Sequence, residues 1–268
     1  MSTTKAFVDT TVLTDALLKP QTEKSRSALA AISRYDQTLL PVYAIKEWKH
    51  GPLSTFAYVH DKLVVTRSWH KTAEALSSLW GYKKSTAMEA LTAAGAPRLG
   101  PRRDPVGSDY DEQLADRFRL SLQSLIIRSW RKRRKLTTEV IQDLACYSET
   151  TPTLGREGLF DMEPKKCHKE TDCSLASELK ARPELLRALR DAIPETSIRA
   201  EDRRRRKALK RLINRPGDRL DRDSCRDLGD AIFAFFCPED AVILTTNIRD
   251  HQPLAEAVGK TAVSPKSP

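Results

Sequence analysis

The sequence predicts an α/β fold, in which a central parallel sheet is flanked by helices and a mostly helical insertion interrupts the sheet-forming chain. Two observations support this class. Short apolar strands followed by helical segments occur at both ends of the chain, and the long middle is polar and helical. The 268 residues are enough for one large domain or two small ones. We therefore expect two distant halves of one α/β domain.

The first half of this domain is predicted over residues 1–93. A short apolar strand over 5–9 ends at Asp9, and a helix is expected to follow it. A second strand is predicted over 37–44. The helical segment after that strand contains Gly51-Pro52, which predicts a kink or break there because proline cannot continue helical hydrogen bonding.

The rest of the chain is predicted as an insertion, a second half and a tail. Residues 94–215 form the mostly helical, basic insertion, which begins with a loop rich in glycine and proline. Residues 216–259 return to the α/β pattern, with an apolar helix and a short strand over 241–246. Residues 260–268 are expected to be a disordered tail.

The composition predicts a soluble protein that binds a polyanion. The formal net charge is +10, and a basic protein of this size favours nucleic acid as its partner. No apolar run is long enough to span a bilayer, and the chain starts without the pattern of a signal peptide. We therefore expect a cytoplasmic protein without a membrane partner, and a homo-oligomer is left open.

The five cysteines predict reduced thiols, because their number is odd and the chain is not small. Cys167, His168 and Cys173 lie close together in sequence. Their spacing is not that of a standard zinc knuckle. A structural zinc completed by a distant Cys or His is the alternative to ordinary loop cysteines.

Polar residues follow the predicted strands at positions that could meet at one edge of the sheet. Asp9 ends the first strand, Glu47 lies just past the second, and Asn247 and Asp250 follow the last. Asp230 lies at the start of the helix that leads into the last strand. Sites in open parallel sheets form at the carboxyl ends of strands, so these side chains are candidates for one site.

Converging carboxylates repel one another, and this repulsion raises their pKa values. A hard divalent cation such as Mg²⁺ removes the conflict and can activate water against a phosphodiester. Purely structural roles remain open: Asp9 and Asp250 can cap helices, Glu47 can lie on a helix surface, and Asp227 can stabilise a helix N-terminus.

Three segments resemble the motifs of the PIN-domain nucleases, a family that includes the ribonuclease toxins of bacterial toxin–antitoxin pairs. They read FVDTTVLTDALL, AIKEW and GDAIFAFFCPEDAVILTTNIRDHQPLAEAVG, and together they cover roughly residues 5–50 and 222–259. The resemblance implies a PIN-like three-layer fold with a central parallel sheet. It does not cover the middle of the chain, which implies a large insertion.

The resemblance also implies a chemistry. Asp9, Glu47, Asp230 and Asn247 match the residues that bind Mg²⁺ or Mn²⁺ and activate water, giving a 5′-phosphate and a 3′-hydroxyl. Asn247 stands in place of the fourth acid and would weaken or reshape one metal position. Asp227 or Asp250 could compensate for it. RNA is the favoured substrate, by resemblance alone.

Two basic runs are candidate nucleic-acid contacts. They comprise Arg131, Lys132, Arg133, Arg134, Arg203, Arg204, Arg205, Arg206 and Lys207. The first run also suits the end of a helix, where cations complement the macrodipole. The second run repels itself unless phosphates face it, and an acidic protein such as an antitoxin is the competing partner.

The main hypothesis is therefore a metal-dependent, PIN-like nuclease. The alternative is a PIN-like module that binds nucleic acid or protein without cutting. A phosphatase built on the Asp9 strand ranks lower, because that pattern requires a second Asp two positions on, where Thr11 stands.

Overall fold

The computed structural model of the protein describes residues 4–95, 110–144, 147, 149–162, 174–215, 220 and 222–266. The strands are β1 (Lys5–Val8), β2 (Gln37–Pro41), β3 (Glu139–Ile141), β4 (Thr153–Leu154), β5 (Phe160–Asp161), β6 (Ala241–Leu244) and β7 (Ala262–Val263). The helices are α1 (Thr10–Leu18), α2 (Glu23–Ile32), α3 (Val42–Trp48), α4 (Ser54–Thr66), α5 (Trp69–Ser77), α6 (Gly81–Gly95), α7 (Tyr110–Leu136), α8 (Ser174–Ala181), α9 (Pro183–Asp191), α10 (Ala200–Asn214), α11 (Arg222–Phe236) and α12 (Ile248–Ala257).

A parallel sheet forms the centre of the molecule, with the strand order β3-β2-β1-β6-β7. The central strand β1 pairs with β2 on one side and with β6 on the other, with Phe7 opposite Leu39 and Ile243. All three of these side chains are buried, as expected for a parallel sheet covered by helices. The predicted α/β class is confirmed.

Two predicted boundaries need correction. The predicted insertion supplies an edge strand of the main sheet, because β3 pairs with β2. The prediction of a disordered tail is wrong for β7: Ile243 N donates to Thr261 O at 2.8 Å and Thr245 N donates to Val263 O at 3.0 Å. Strands this short carry almost no periodic signal, so only the pairing with a distant neighbour reveals them.

The predicted break at Gly51-Pro52 is a single π-helical turn, Lys49–Leu53, that joins α3 to α4. Proline lacks the N–H that an α-helical hydrogen bond requires. A wider turn accommodates that loss without ending the helix.

The insertion helix α7 packs directly against the sheet-forming half of the chain. Ser129 Oγ donates to the Leu17 carbonyl at 2.8 Å, and the rings of Trp130 and Trp48 stack with centroids 5.9 Å apart. These contacts make α7 part of the domain core. Among the helices described here, none combines the length and the apolar character needed to cross a bilayer.

Candidate active site

Asp9 lies at the carboxyl end of β1 with only 3% of the residue exposed. Its Oδ2 accepts hydrogen bonds from Thr11 Oγ1 at 2.5 Å and from Thr245 Oγ1 at 2.8 Å. The side chain makes no capping hydrogen bond to α1, so helix capping does not account for it. The hydroxyls of two separate chain segments instead hold the carboxylate at the sheet edge.

Glu47, on α3, lies beside Asp9. Thr10 Oγ1 donates to Glu47 Oε2 at 2.9 Å. Burial raises the pKa of Glu47 to about 7, with further contributions from the negative charges of Asp9 and Asp230, although hydrogen bonds from Thr10 and Tyr43 oppose the rise. The charges of Asp9 and Asp230 therefore act on the protonation of Glu47, as expected for acids that converge at one edge of the sheet.

Asp230 follows a kink in α11 at Gly229, where the backbone departs from helical geometry. One turn later, the Phe233 ring contacts Phe7 and Tyr43, with centroids 5.9 Å apart in both pairs. These contacts fix the helix against β1 and α3. The apolar face of α11 thus holds Asp230 near Asp9 and Glu47.

Two basic side chains contact the Asp230 carboxylate. Arg205 Nη2 bonds to its Oδ2, and His251 Nε2 lies 3.3 Å from its Oδ1. Burial opposes ionisation of Asp230, but the hydrogen bond from His251 and the charges of His251, Arg205 and Arg199 outweigh burial and lower the pKa of the carboxyl. Asp230 is therefore held as a carboxylate.

His251 is the site residue that the sequence analysis missed. Its Nε2 also lies 3.7 Å from Asp9 Oδ2, so the ring bridges two of the three acids. Burial lowers the pKa of His251, but Asp9 and Asp230 outweigh burial and raise it. The available signal was its position directly after Asp250 in the first turns of α12, where it faces the strand ends.

Asn247 and Asp250 form a second, linked group at the start of α12. The Asn247 amide donates to Asp250 Oδ2 at 2.9 Å, and Arg199 Nη2 contacts Asp250 Oδ1 at 2.7 Å. Burial opposes ionisation of Asp250, but Asn247 and Arg199 lower its pKa, while the charge of Asp230 raises it. Both predicted residues thus border the three acids, with Asp250 paired to a cation.

Asp227 has a different set of partners from the three acids. Its Oδ1 lies 3.3 Å from Arg204 Nε and 3.9 Å from Arg226 Nη2. The kink at Gly229 lies between Asp227 and Asp230, so regular helical spacing does not relate the two carboxylates. The structure favours the structural role for Asp227.

The second basic run divides between the site and the surface. Arg205 is buried against Asp230, and Arg206 donates to the carbonyls of Arg190 and Ile193 and contacts Glu195. The remaining cations of the run, Arg203, Arg204 and Lys207, are exposed. A surface pocket of about 380 Å³ on α10 is lined by Glu195, Arg203, Arg206, Lys207 and Lys210.

The first basic run at the end of α7 is also divided. Arg133 is 1% exposed, lies over the Trp130 ring at 4.5 Å and pairs with Glu149. Arg131, Lys132 and Arg134 are exposed. Arg133 therefore belongs to the core. Arg134 also bonds to Glu149, with Nη2 3.1 Å from Oε1, so Arg131 and Lys132 are the residues of the run that offer charge to a phosphate backbone.

The donor types at the sheet edge suit a hard divalent cation, because three carboxylates supply oxygen ligands. The pKa of Glu47 is raised mainly by burial and further by the charges of Asp9 and Asp230, and such an ion offsets that repulsion. Within the described ranges, no three His, Cys, Asp or Glu side chains are arranged closely enough to hold a metal as they stand. Binding would require Asp230 to exchange Arg205 for the ion. The candidate zinc residues Cys167, His168 and Cys173 lie outside the described residues.

Comparisons of the chain with family models, with curated proteins and with solved structures give no match. The similarity to PIN-domain nucleases therefore rests on the motifs themselves.

Proposed function

We propose that the protein is a PIN-like, metal-dependent nuclease that hydrolyses phosphodiester bonds, with RNA as the favoured substrate. The observation that carries this proposal is the convergence of Asp9, Glu47 and Asp230 from three separate segments at the carboxyl edge of the sheet. Three carboxylates whose charges oppose one another are costly to bury together, and a bound divalent cation would offset that cost.

Asp9, Glu47 and Asp230 are the residues that would hold Mg²⁺ or Mn²⁺, with Asn247 or Asp250 completing the set. The ion would supply activation of water and stabilisation of the leaving oxygen. Thr11 and Thr245 orient the Asp9 carboxylate, and Thr10 orients that of Glu47. These hydroxyls keep the acids in place before any ligand binds, as a preorganised site requires.

Two arginines at the border of the site suit the charge of the substrate. Arg205 and Arg199 contact Asp230 and Asp250 in this structure, and a guanidinium binds a phosphate as readily as a carboxylate. We propose that a phosphate of the bound strand takes over these cations when the acids bind the ion. The insertion helix α10 thus contributes to the site as well as to the outer basic surface.

The direct test is cleavage of labelled single-stranded RNA and DNA with Mn²⁺, with Mg²⁺ and with chelator. Asp9→Asn and Asp230→Asn should each lower the rate by about 100-fold or more, because each removes a charged ligand of the ion that activates water. Asp227→Asn is the matched control, since it changes an acid on the same helix that pairs with Arg204 instead, and its rate should stay near that of the parent protein. Cleavage that survives both site substitutions in folded protein would reject the proposed site.

One observation favours a second function, that of a PIN-like module that binds nucleic acid or an acidic protein, such as an antitoxin, without cutting. Arg205 bonds to Asp230, and His251 contacts both Asp230 and Asp9, so basic side chains occupy two of the three acids without a metal. Binding of Mn²⁺, followed by its electron paramagnetic resonance signal, separates the two. Nucleic-acid binding without any bound metal or turnover would favour the module.

A further inference from the structure

Two exposed aromatic side chains lie at the start of α6. Trp80 is 86% exposed and Tyr82 is 65% exposed. Among the aromatic residues that the structure describes, none is more exposed than Trp80. A large ring left in water forgoes a substantial burial energy, so this position calls for a ligand that can cover it.

The surroundings of the two rings are polar and basic. Lys83 and Lys84 follow directly on α6 and are exposed, and Lys84 Nζ donates to the Ser77 carbonyl at 3.2 Å. Gly81, between the rings, has a φ of 57°, a conformation that glycine adopts without strain. A protein interface would centre on a larger apolar area with little charge, whereas aromatic rings beside lysines suit stacked bases and their phosphates.

Helix α6, which carries Tyr82 and directly follows Trp80, is joined by ion pairs to helix α1. Lys19, at the end of α1, contacts Glu89 of α6 at 2.9 Å and Asp15 of α1 at 2.8 Å. Helix α1 begins directly after Asp9. The ion pairs therefore connect α6 with the helix that leads away from the three acids.

The charge of Glu47 also reaches Tyr82. Burial raises the pKa of the Tyr82 phenol, and Glu89 and Glu47 raise it further, against the effects of Thr86 and Lys19. The hydroxyl end is thus more enclosed than the residue as a whole, which is mostly exposed.

We propose that Trp80 and Tyr82 form a stacking platform for the unpaired bases of a single-stranded nucleic acid, with Lys83 and Lys84 contacting its phosphates. This inference deepens the proposed function, on which the link to the cleavage site rests. Every base has a face that can stack on an aromatic ring, whereas a duplex keeps these faces covered. The platform therefore selects single strands and tolerates many sequences.

The test measures binding of the full-length protein to a short labelled oligouridine by fluorescence anisotropy, in chelator so that no cleavage occurs. Trp80→Ala should weaken binding by about 5- to 150-fold, the range expected when one base loses its aromatic partner. Tyr82→Ala should weaken it in the same direction. Trp80→Phe should keep most of the affinity, because a smaller ring still stacks.

A matched control is Tyr58→Ala, which removes another exposed aromatic residue with a lysine, Lys62, over its ring. Its affinity should equal that of the parent protein. Intrinsic fluorescence gives a second readout, since Trp48 and Trp130 are buried, Trp69 is half-buried against Phe118, and Trp80 is open to a stacking base. Binding should quench the emission of the parent protein, and Trp80→Phe should abolish that quenching while binding remains.

Equal affinities for the parent, Trp80→Ala and Tyr82→Ala proteins would overturn the platform, as would an equal loss of affinity for a duplex of the same sequence. A change in sedimentation on substitution of Trp80, without a change in oligonucleotide affinity, would also overturn it and would identify a protein contact. These outcomes are independent of catalysis. Loss of binding in Trp80→Ala with no metal-dependent cleavage in any protein would reject the nuclease and leave the platform standing.

Discussion

At the scale of single residues, the site is a balance of charges that depends on pH. Glu47 has a pKa of about 7 because it is enclosed next to Asp9 and Asp230. Asp230 is kept ionised by His251 and Arg205, which compensate the burial of its carboxylate. The two acids therefore differ before any ligand binds. The pKa of Asp230 is lowered by its basic partners, whereas the pKa of Glu47 is raised by burial and by the charges of Asp9 and Asp230.

Replacing Glu47 by Gln should stabilise the metal-free protein at pH 8 and should have a much smaller effect on its stability at pH 5. The folded pKa of Glu47 lies above its ordinary value of 4.5. The favourable contribution of its protonated form is therefore complete below pH 4.5 and is lost as the pH rises through about 7. The expected gain at pH 8 is roughly 2–3 kcal/mol in the free energy of unfolding.

Urea unfolding in chelator at several pH values measures this difference between the two proteins. Cleavage by the Glu47→Gln protein should fall sharply at the same time, because a metal ligand is lost. A stability difference that stays constant from pH 5 to pH 8 would contradict the charge balance described for the site.

At the scale of elements, the insertion is bound into the domain by α7 and α10. Helix α7 buries Arg133 between the Trp130 ring and Glu149, and α10 places Arg205 against Asp230. A buried guanidinium depends on its partners, because an unpaired charge in the core is costly. Basic residues that look alike in sequence therefore have separate roles, in the core, in the site and on the surface.

Arg133→Gln should mainly lower the stability of the protein, whereas Arg131→Gln should mainly weaken its binding of nucleic acid. Arg133→Gln should lower the free energy of unfolding by roughly 3 kcal/mol, because it breaks a buried ion pair. Arg131→Gln should change stability by less than about 0.5 kcal/mol, as is usual at exposed positions, and should weaken nucleic-acid binding. Thermal unfolding and anisotropy titrations measure the two effects, and equal destabilisation by both variants would contradict the division of the run.

At the scale of the whole molecule, the net charge of +10 is distributed unevenly. The three acids and their cations form a compensated centre at the sheet edge, whereas Arg203 and Lys207 on α10 remain exposed beside a surface pocket. Such an arrangement attracts a polyanion to the exposed side of α10. The three acids at the sheet edge are then available for the proposed hydrolysis.

The affinity for single-stranded RNA should therefore fall steeply with salt. Replacing both Arg203 and Lys207 by Gln should make the slope of log K against log salt shallower by about 1.4, since each phosphate contact on a single strand contributes about 0.7. The control is the double substitution Lys24→Gln and Arg26→Gln on α2, which removes the same charge from another exposed place. Identical slopes for the two double variants would show that α10 does not contact the strand.

The sequence by itself determined the α/β class and the positions of the three acids. Apolar strands are local patterns, and so are a carboxylate that ends one strand (Asp9), one in the helix after the next strand (Glu47) and one in the helix before the last strand (Asp230). These acids could therefore be predicted to meet once the strands were taken as parallel. The direction of the pKa shift of Glu47 followed from that convergence, because like charges in an enclosed place repel.

The tertiary structure alone decided which cations meet these acids. Arg205 and His251 reach Asp230 from segments whose spacing carries no signal, since 25 residues separate Arg205 from Asp230 along the chain. The burial of Arg133 and the pairing of Ala262–Val263 likewise depend on partners far away in sequence. Local propensity sets what an element is, but burial and ion pairing depend on what packs against it, and that is fixed only when the distant parts of the chain come together.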